Sequence, residues 1–243
     1  MVTRATDQAS ALVDQLVGLG AEVLAVPVIA IVDASDGGDS LAEAVGRAAD
    51  YDWIVVTSVN GVERMVAATS GGATALAATN VQLAAIGRGT ADALERHGLA
   101  VGLVPERFVA EGLLAAFPMP PSTGGRVLLA QAAGARPVLR DGLGAAGWGV
   151  DVVEAYRTEH PPVDPDLLAR AAHASAIAFT SASTVDGWIA AAGSATLPPF
   201  VATIGPVTSA AARVHGVVVD VEASEHTIAG LVSALVAALG RVS

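Results

Sequence analysis

The sequence predicts an α/β protein built from two related, doubly wound, parallel-sheet halves. Three observations lead there: strands alternate with helices along the chain, four segments share one grammar, and the composition suits helices laid on buried sheets. Of 243 residues, 53% are hydrophobic, 15% charged and 4% aromatic. Disorder is therefore excluded, and small aliphatic side chains can fill seams between sheets and helices. A chain of this length supplies one large domain or two ordinary ones.

Each segment reads as a β-branched strand, a small-residue turn and an amphipathic helix. In Val2–Val32, Leu12, Leu16 and Leu19 recur at helical spacing, Gly20 stands where a helix stops, and Glu22–Val32 reads as a strand. In Asp52–Phe117, the strand Trp53–Val56 runs into Thr57-Ser58-Val59-Asn60-Gly61. The strand Val81–Ile86 then runs into Gly87-Arg88-Gly89-Thr90, and a helix ends near Gly98. Arg126–Thr158 echoes the first segment, aligning Gly20-Ala21-Glu22-Val23 with Gly147-Trp148-Gly149-Val150. Ser175–Leu239 echoes the second: Ile177–Phe179 leads into Thr180-Ser181-Ala182-Ser183-Thr184, and Ile204-Gly205-Pro206-Val207-Thr208 mirrors Ile86–Thr90. The offset between the latter pair, 118 residues, also aligns Glu111-Gly112-Leu113 with Ala229-Gly230-Leu231. Strands alternating with helices imply parallel sheets and right-handed crossovers. Asp33–Asp39 and His160–Pro165 are candidate linkers, with Pro118–Gly125 a third break.

Composition also removes function classes. The longest apolar run, Ile228–Leu239, is shorter than a membrane span, and no basic-then-apolar leader opens the sequence, so a cytoplasmic protein is expected despite a mean hydropathy of +0.56. Without cysteine there is no disulfide and no thiolate zinc site. Five scattered histidines suggest no metal site; His97 and His215 hold matching positions before Gly98 and Gly216, as helix C-caps do. A net charge of −11 argues against nucleic acid. Gly87-x-Gly89 lacks the third glycine and the acidic residue of a dinucleotide site.

Ligands of open parallel sheets bind beyond the strands' carboxyl ends. The residues expected there are Thr57, Ser58, Asn60, Gly61, Gly87, Gly89, Thr90, Thr180, Ser181, Ser183, Thr184, Gly205, Pro206 and Thr208. Each turn precedes a helix, so free backbone N–H groups and the positive helix end favour an anion. Helix N-capping alone explains any single turn; four in duplicated positions point to a shared anionic ligand. Arg4 and Arg136, each read as opening a helix near a strand end, could grip carboxylates or form surface ion pairs. Tyr156, one of two tyrosines, follows the strand Val150–Glu154 at the edge of a linker.

At these residues the sequence resembles the uroporphyrinogen-III synthase family. The matching stretches are Val2-Thr3-Arg4, Gly20–Val23, Pro27, Thr57–Val62, Ile86–Thr90, Val104-Pro105-Glu106, Ala135–Leu139, Tyr156-Arg157-Thr158, Phe179–Val185 and Ile204–Thr208, in order over nearly the whole chain. The resemblance implies two flavodoxin-like domains joined by a two-strand linker with a cleft between them. Domain 1 would comprise 1–33 and 160–243, domain 2 would be 36–156, and the linkers would lie about 28–36 and 154–163. It implies a cofactor-free monomer that closes hydroxymethylbilane, an anionic tetrapyrrole, to uroporphyrinogen III with inversion of ring D and loss of water, by way of a spiro intermediate. Tyr156 matches the family's cleft tyrosine, expected to assist departure of the hydroxyl, and Thr208 lies in the matching Gly-Pro-x-Thr turn. Two departures stand out: only Met1-Val2-Thr3 precede Arg4, and Gln131 stands where a basic residue is frequent, so no charge contact is expected there. The alternative is a non-catalytic two-domain binding or regulatory protein, whose mark would be an attached DNA-binding or receiver module; none is read in this sequence. A nucleotide-binding enzyme is the other rival.

Overall fold

In a computed structural model, which describes residues 1–5 and 10–240, helices lie between successive strands along the chain. The order is α1 (Ser10–Gly18), β1 (Ala30–Val32), α2 (Asp39–Gly46), β2 (Trp53–Val56), α3 (Val59–Ala68), α4 (Gly72–Ala77), β3 (Gln82–Ala85), α5 (Arg88–Arg96) and α6 (Ala110–Ala116). There follow β4 (Arg126–Ala132), α7 (Val138–Ala145), β5 (Gly149–Glu159), α8 (Pro165–Ala171), β6 (Ala176–Phe179), α9 (Ala182–Ala192), β7 (Phe200–Thr203), α10 (Pro206–Val214), β8 (Val221–Glu222) and α11 (Ile228–Leu239). The chain divides into unit 1, Met1–Ala30 with Thr158–Ser243, and unit 2, Ile31–Arg157. Asp33–Asp39 and Pro118–Gly125 thus fall inside unit 2.

In unit 2 the sheet runs β1-β5-β4-β2-β3; β5-β4-β2-β3 pair in parallel, and Leu103 continues beyond β3 through a parallel bridge to Ala84. Side chains alternate across it, so the two faces build two cores. Ile54, Val56, Leu83, Ala85, Leu128 and Ala130 pack under α2, α3 and α5. Val55, Ala84, Val127 and Leu129 pack under α6 and α7 with Trp148. Strands buried on both faces explain the continuous runs such as Trp-Ile-Val-Val and Val-Leu-Leu-Ala.

Unit 1 repeats this plan from a different starting strand. Val2 bridges in parallel to Ala25 on one side and to Ala178 of β6 on the other, and β6-β7-β8 follow in order, all parallel. Val2, Ala178 and Ala202 pack with α1 and α11; on the opposite face Thr203 hydrogen-bonds Ser209 of α10 at 2.7 Å. Read from Val2, the spatial order is second, first, third, fourth, fifth. Unit 2 has that order only when read from β4, so the halves are circular permutations of one fold. This is why Arg126–Thr158 echoes the first segment and not the second.

The strand expected over Glu22–Val32 is a correction: it holds only at Ala25 and at Ala30–Val32. Pro27 brings no N–H to a ladder, which favours an interrupted edge. Gly20 does end α1, in the left-handed region at φ +84°, with Ala21 N donating to Leu16 O at 3.0 Å.

Candidate functional site

The turns at the strands' carboxyl ends divide into two kinds. Those before α3 and α9 cap themselves. Ser58 Oγ accepts from Gly61 N at 3.0 Å. Ser181 Oγ accepts from Thr184 N at 3.3 Å, while Thr184 Oγ1 accepts from Ser181 N at 3.2 Å, closing a capping box. Ser183 Oγ adds a 2.9 Å hydrogen bond to Ser181 Oγ. Each such cap stabilises its helix by about 1 kcal/mol. Two expected ligand contacts are thereby redirected. Thr184 is fully buried with its hydroxyl engaged in the cap. Gly61 is a packing glycine, since a Cβ there would stand 2.9 Å from Val56 Cγ1. Thr57, Asn60, Thr180, Ser181 and Ser183 remain half-buried at the turn surface.

The turns before α5 and α10 are open. Their N-caps are Gly87 and Gly205, and neither helix start receives a side-chain cap. Both glycines are extended, so no left-handed strain selects them. Proximity does: a Cβ on Gly87 would meet Phe108 Cβ at 3.1 Å, and one on Gly205 would meet His226 Cδ2 at 3.0 Å. The two helix starts thus sit against a ring at the same place in each unit. Gly89 has nothing within 4 Å of its would-be Cβ, and Pro206 is exposed. Thr90 and Thr208 are only 5% and 3% exposed. What these turns offer an anion is therefore backbone N–H, not hydroxyl, beginning at Val207 in α10 because Pro206 has none; each helix end contributes about 0.3–1 kcal/mol per negative charge.

Arg4 is half-buried two residues beyond the bridge at Val2. Arg136, which precedes the N-cap Pro137 of α7, is paired with Glu111 Oε1 of α6 at 3.0 Å. The Glu111 backbone N–H, then Arg136, hold that carboxyl below the ordinary carboxylate range. Arg136 is thus part of a surface bridge between α6 and α7, and it is not the counterpart of Arg4. The register identifies that counterpart. Ala178 pairs with Val2 in unit 1 as Val55 pairs with Leu129 in unit 2, and both Ala178 and Val55 stand three residues before a capping serine, Ser181 or Ser58. Two residues past Val2 is Arg4; two past Leu129 is Gln131. In the sequence Gln131 stands where a basic residue is frequent; its equivalence to Arg4 follows from a pairing between strands far apart in the chain.

Tyr156 owes its orientation to a β-bulge. Gln131 pairs with Glu154 but Ala132 with Tyr156, so Ala155 is an extra residue. The bulge moves Tyr156 onto the face of Ala130 and Ala132, where Ala155 and Tyr156 are buried consecutively. Tyr156 is 7% exposed. Around the bulge, Ser35 N and Oγ donate to Glu154 at 2.7 and 3.1 Å, and Arg157 Nε donates to Asp33 O at 3.1 Å, tying β5 to the segment after β1.

Two hollows lie elsewhere. One of about 460 Å³ is lined by Trp53, Gln82, Met119 and Trp148 near the amino ends of the unit 2 strands. There Tyr51 donates to Asp151 at 2.8 Å and Arg126 stacks 4.9 Å from the Tyr51 ring. The Tyr51 hydroxyl, then Arg126, hold Asp151 low, and burial pushes Tyr51 up. The other, about 500 Å³ between β8 and α11, is lined by Glu222 and Glu225, which disfavour an anion. Among the described residues no group of His, Cys, Asp and Glu is placed to hold a metal, and no helix is long and apolar enough to cross a membrane.

The family model described as uroporphyrinogen-III synthase HemD matches residues 10–233. The uroporphyrinogen-III synthase of Synechococcus elongatus is 32% identical over 97% of this chain and 93% of its own length. A putative uroporphyrinogen-III synthase of Methanothermobacter thermautotrophicus is 31% identical over 98% of both chains. Among solved structures, a mutant uroporphyrinogen III synthase from the extremely thermophilic bacterium Thermus thermophilus matches with a TM-score of 0.65 at 21% identity, covering 99% of this chain and 98% of that one, which shows a common fold.

Proposed function

This chain belongs to the uroporphyrinogen-III synthase family, and we propose that it closes hydroxymethylbilane to uroporphyrinogen III, losing water and inverting the last ring. One observation carries the site assignment: the uncapped helix starts at Gly87 and Gly205 recur at equivalent places in the two units. The substrate bears acetate and propionate carboxylates on every ring, and such anions are what exposed helix-start amides favour. In a chain of net charge −11, local amides and a few cations must supply the attraction.

The amides opening α5 and α10 take carboxylates, and Arg4 and the turn residues Thr57, Asn60, Thr180 and Ser183 contribute further contacts. Tyr156 assists departure of the terminal hydroxyl as water, leaving an azafulvene. Ring closure through the substituted carbon gives the spiro intermediate, whose reopening and reclosure invert ring D. The pyrroles supply the electrons, so the protein's part is chiefly positional: it holds a flexible chain in the one arrangement that outruns uncatalysed closure.

The test uses purified protein and freshly made hydroxymethylbilane. The expected product is the type III isomer in excess of the spontaneous type I; type I alone would refute the assignment.

A further inference from the structure

We propose that Gln131 binds substrate, donating its amide N–H to a side-chain carboxylate of the linear tetrapyrrole as the neutral counterpart of Arg4. Three observations support this. First, Gln131 and Arg4 occupy the same place in the two units, two residues past Leu129 and Val2 at the carboxyl end of a central strand. That is the end where the open helix starts lie. Second, Gln131 is only 9% exposed. It lies between Ala130 and the register shift at Ala132. Third, its amide has no hydrogen-bond partner among the described residues, yet its polar atoms are not sealed from solvent. The amide is thus both unpaired among those residues and open to a ligand arriving from solvent. An amide offers two N–H donors and carries no charge. It can therefore meet one carboxylate without burying a further charge at the end of the strand.

This inference rests on the proposed function, and the wild-type protein, assayed in the same series, tests that reading separately through formation of the type III isomer. The variants are Gln131→Met and Gln131→Glu, both close to the original in shape. Their thermal midpoints and circular dichroism establish that they fold. The Met variant is expected to raise KM about tenfold, the loss of one hydrogen bond to a charged group, with kcat within about twofold of wild type. The Glu variant keeps an acceptor but loses both donors and adds a negative charge. It is expected to raise KM further, the more so at low salt. A purely structural role would lower the thermal midpoint without this split between KM and kcat. An unchanged KM in the Met variant overturns the proposal. So does a Glu variant that restores the wild-type KM, because the contact would then be an accepted pyrrole N–H and not a donated bond to a carboxylate.

Discussion

Replacing Gly230 by alanine separates two opposed effects of known size. In an open helix the change is favourable by about 0.8–1 kcal/mol. At Gly230, however, the new Cβ would stand 2.0 Å from Glu225 O, a full ångström inside the 3.0 Å that real contacts respect. The obstructing atom is backbone and cannot rotate aside. Relief requires the turn between Glu225 and Thr227 to move, which strains the Thr227 N to Glu225 O hydrogen bond at 2.8 Å and the Thr227 cap on Gly230 N at 3.0 Å. Overpacking costs about 1–3 kcal/mol, and the cap and the turn bond are worth about 1 kcal/mol each. After subtracting the helix gain, a loss of about 2–4 kcal/mol is expected. The control is Gly144 in α7, which has nothing within 4 Å; its replacement by alanine should stabilise by about 0.5 kcal/mol. Urea denaturation followed by circular dichroism measures both. Gly230→Ala stabilising to the same extent as Gly144→Ala would show that the close approach does not exist and refute the reasoning.

Two further outcomes follow from the site and from the loop before α2. Tyr156→Phe should leave folding intact and lower kcat by about 10²-fold, the low end for a positioned acid; initial rates with hydroxymethylbilane check this, and a wild-type rate would remove Tyr156 from the chemistry. Asp36, bonded by the N–H groups of Ser40 and Gly38 at 2.9 Å each, is held by Ser40 first at about 2, below the ordinary 3.8. A lowered carboxyl stabilises the fold above its ordinary range and loses that contribution as pH falls towards 2. Asp36→Asn should therefore unfold more readily at neutral pH, with the difference vanishing near pH 2 in paired thermal scans.

Features that depend on neighbours in the chain were legible from residues alone. The serine turns gave the caps at Ser58 and Ser181, and the 118-residue offset acquires a physical meaning: a Cβ on Gly112 would stand 2.1 Å from Arg107 O, and one on Gly230 would stand 2.0 Å from Glu225 O. Features set by pairing between remote strands were not. Arg4 and Arg136 read alike because each is expected to open a helix; the register matches Arg4 with Gln131 instead. Thr184 has the same residue type whether it faces a ligand or closes a capping box, and burial decides between them. The bulge at Ala155 leaves no mark in the residues beyond two adjacent side chains that both suit a core.

The permuted order of the halves has a consequence for biosynthesis. Unit 2 is one uninterrupted stretch, so every partner in its sheet is made within a single passage of the ribosome through residues 31–157. Val2 has no such luck. Its central neighbour is β6, and the hydrogen bond from Ala178 N to Met1 O at 3.0 Å cannot form until residue 178 is synthesised. At about 5–20 residues per second, the earliest strand made waits roughly 10–35 s for the one that completes it.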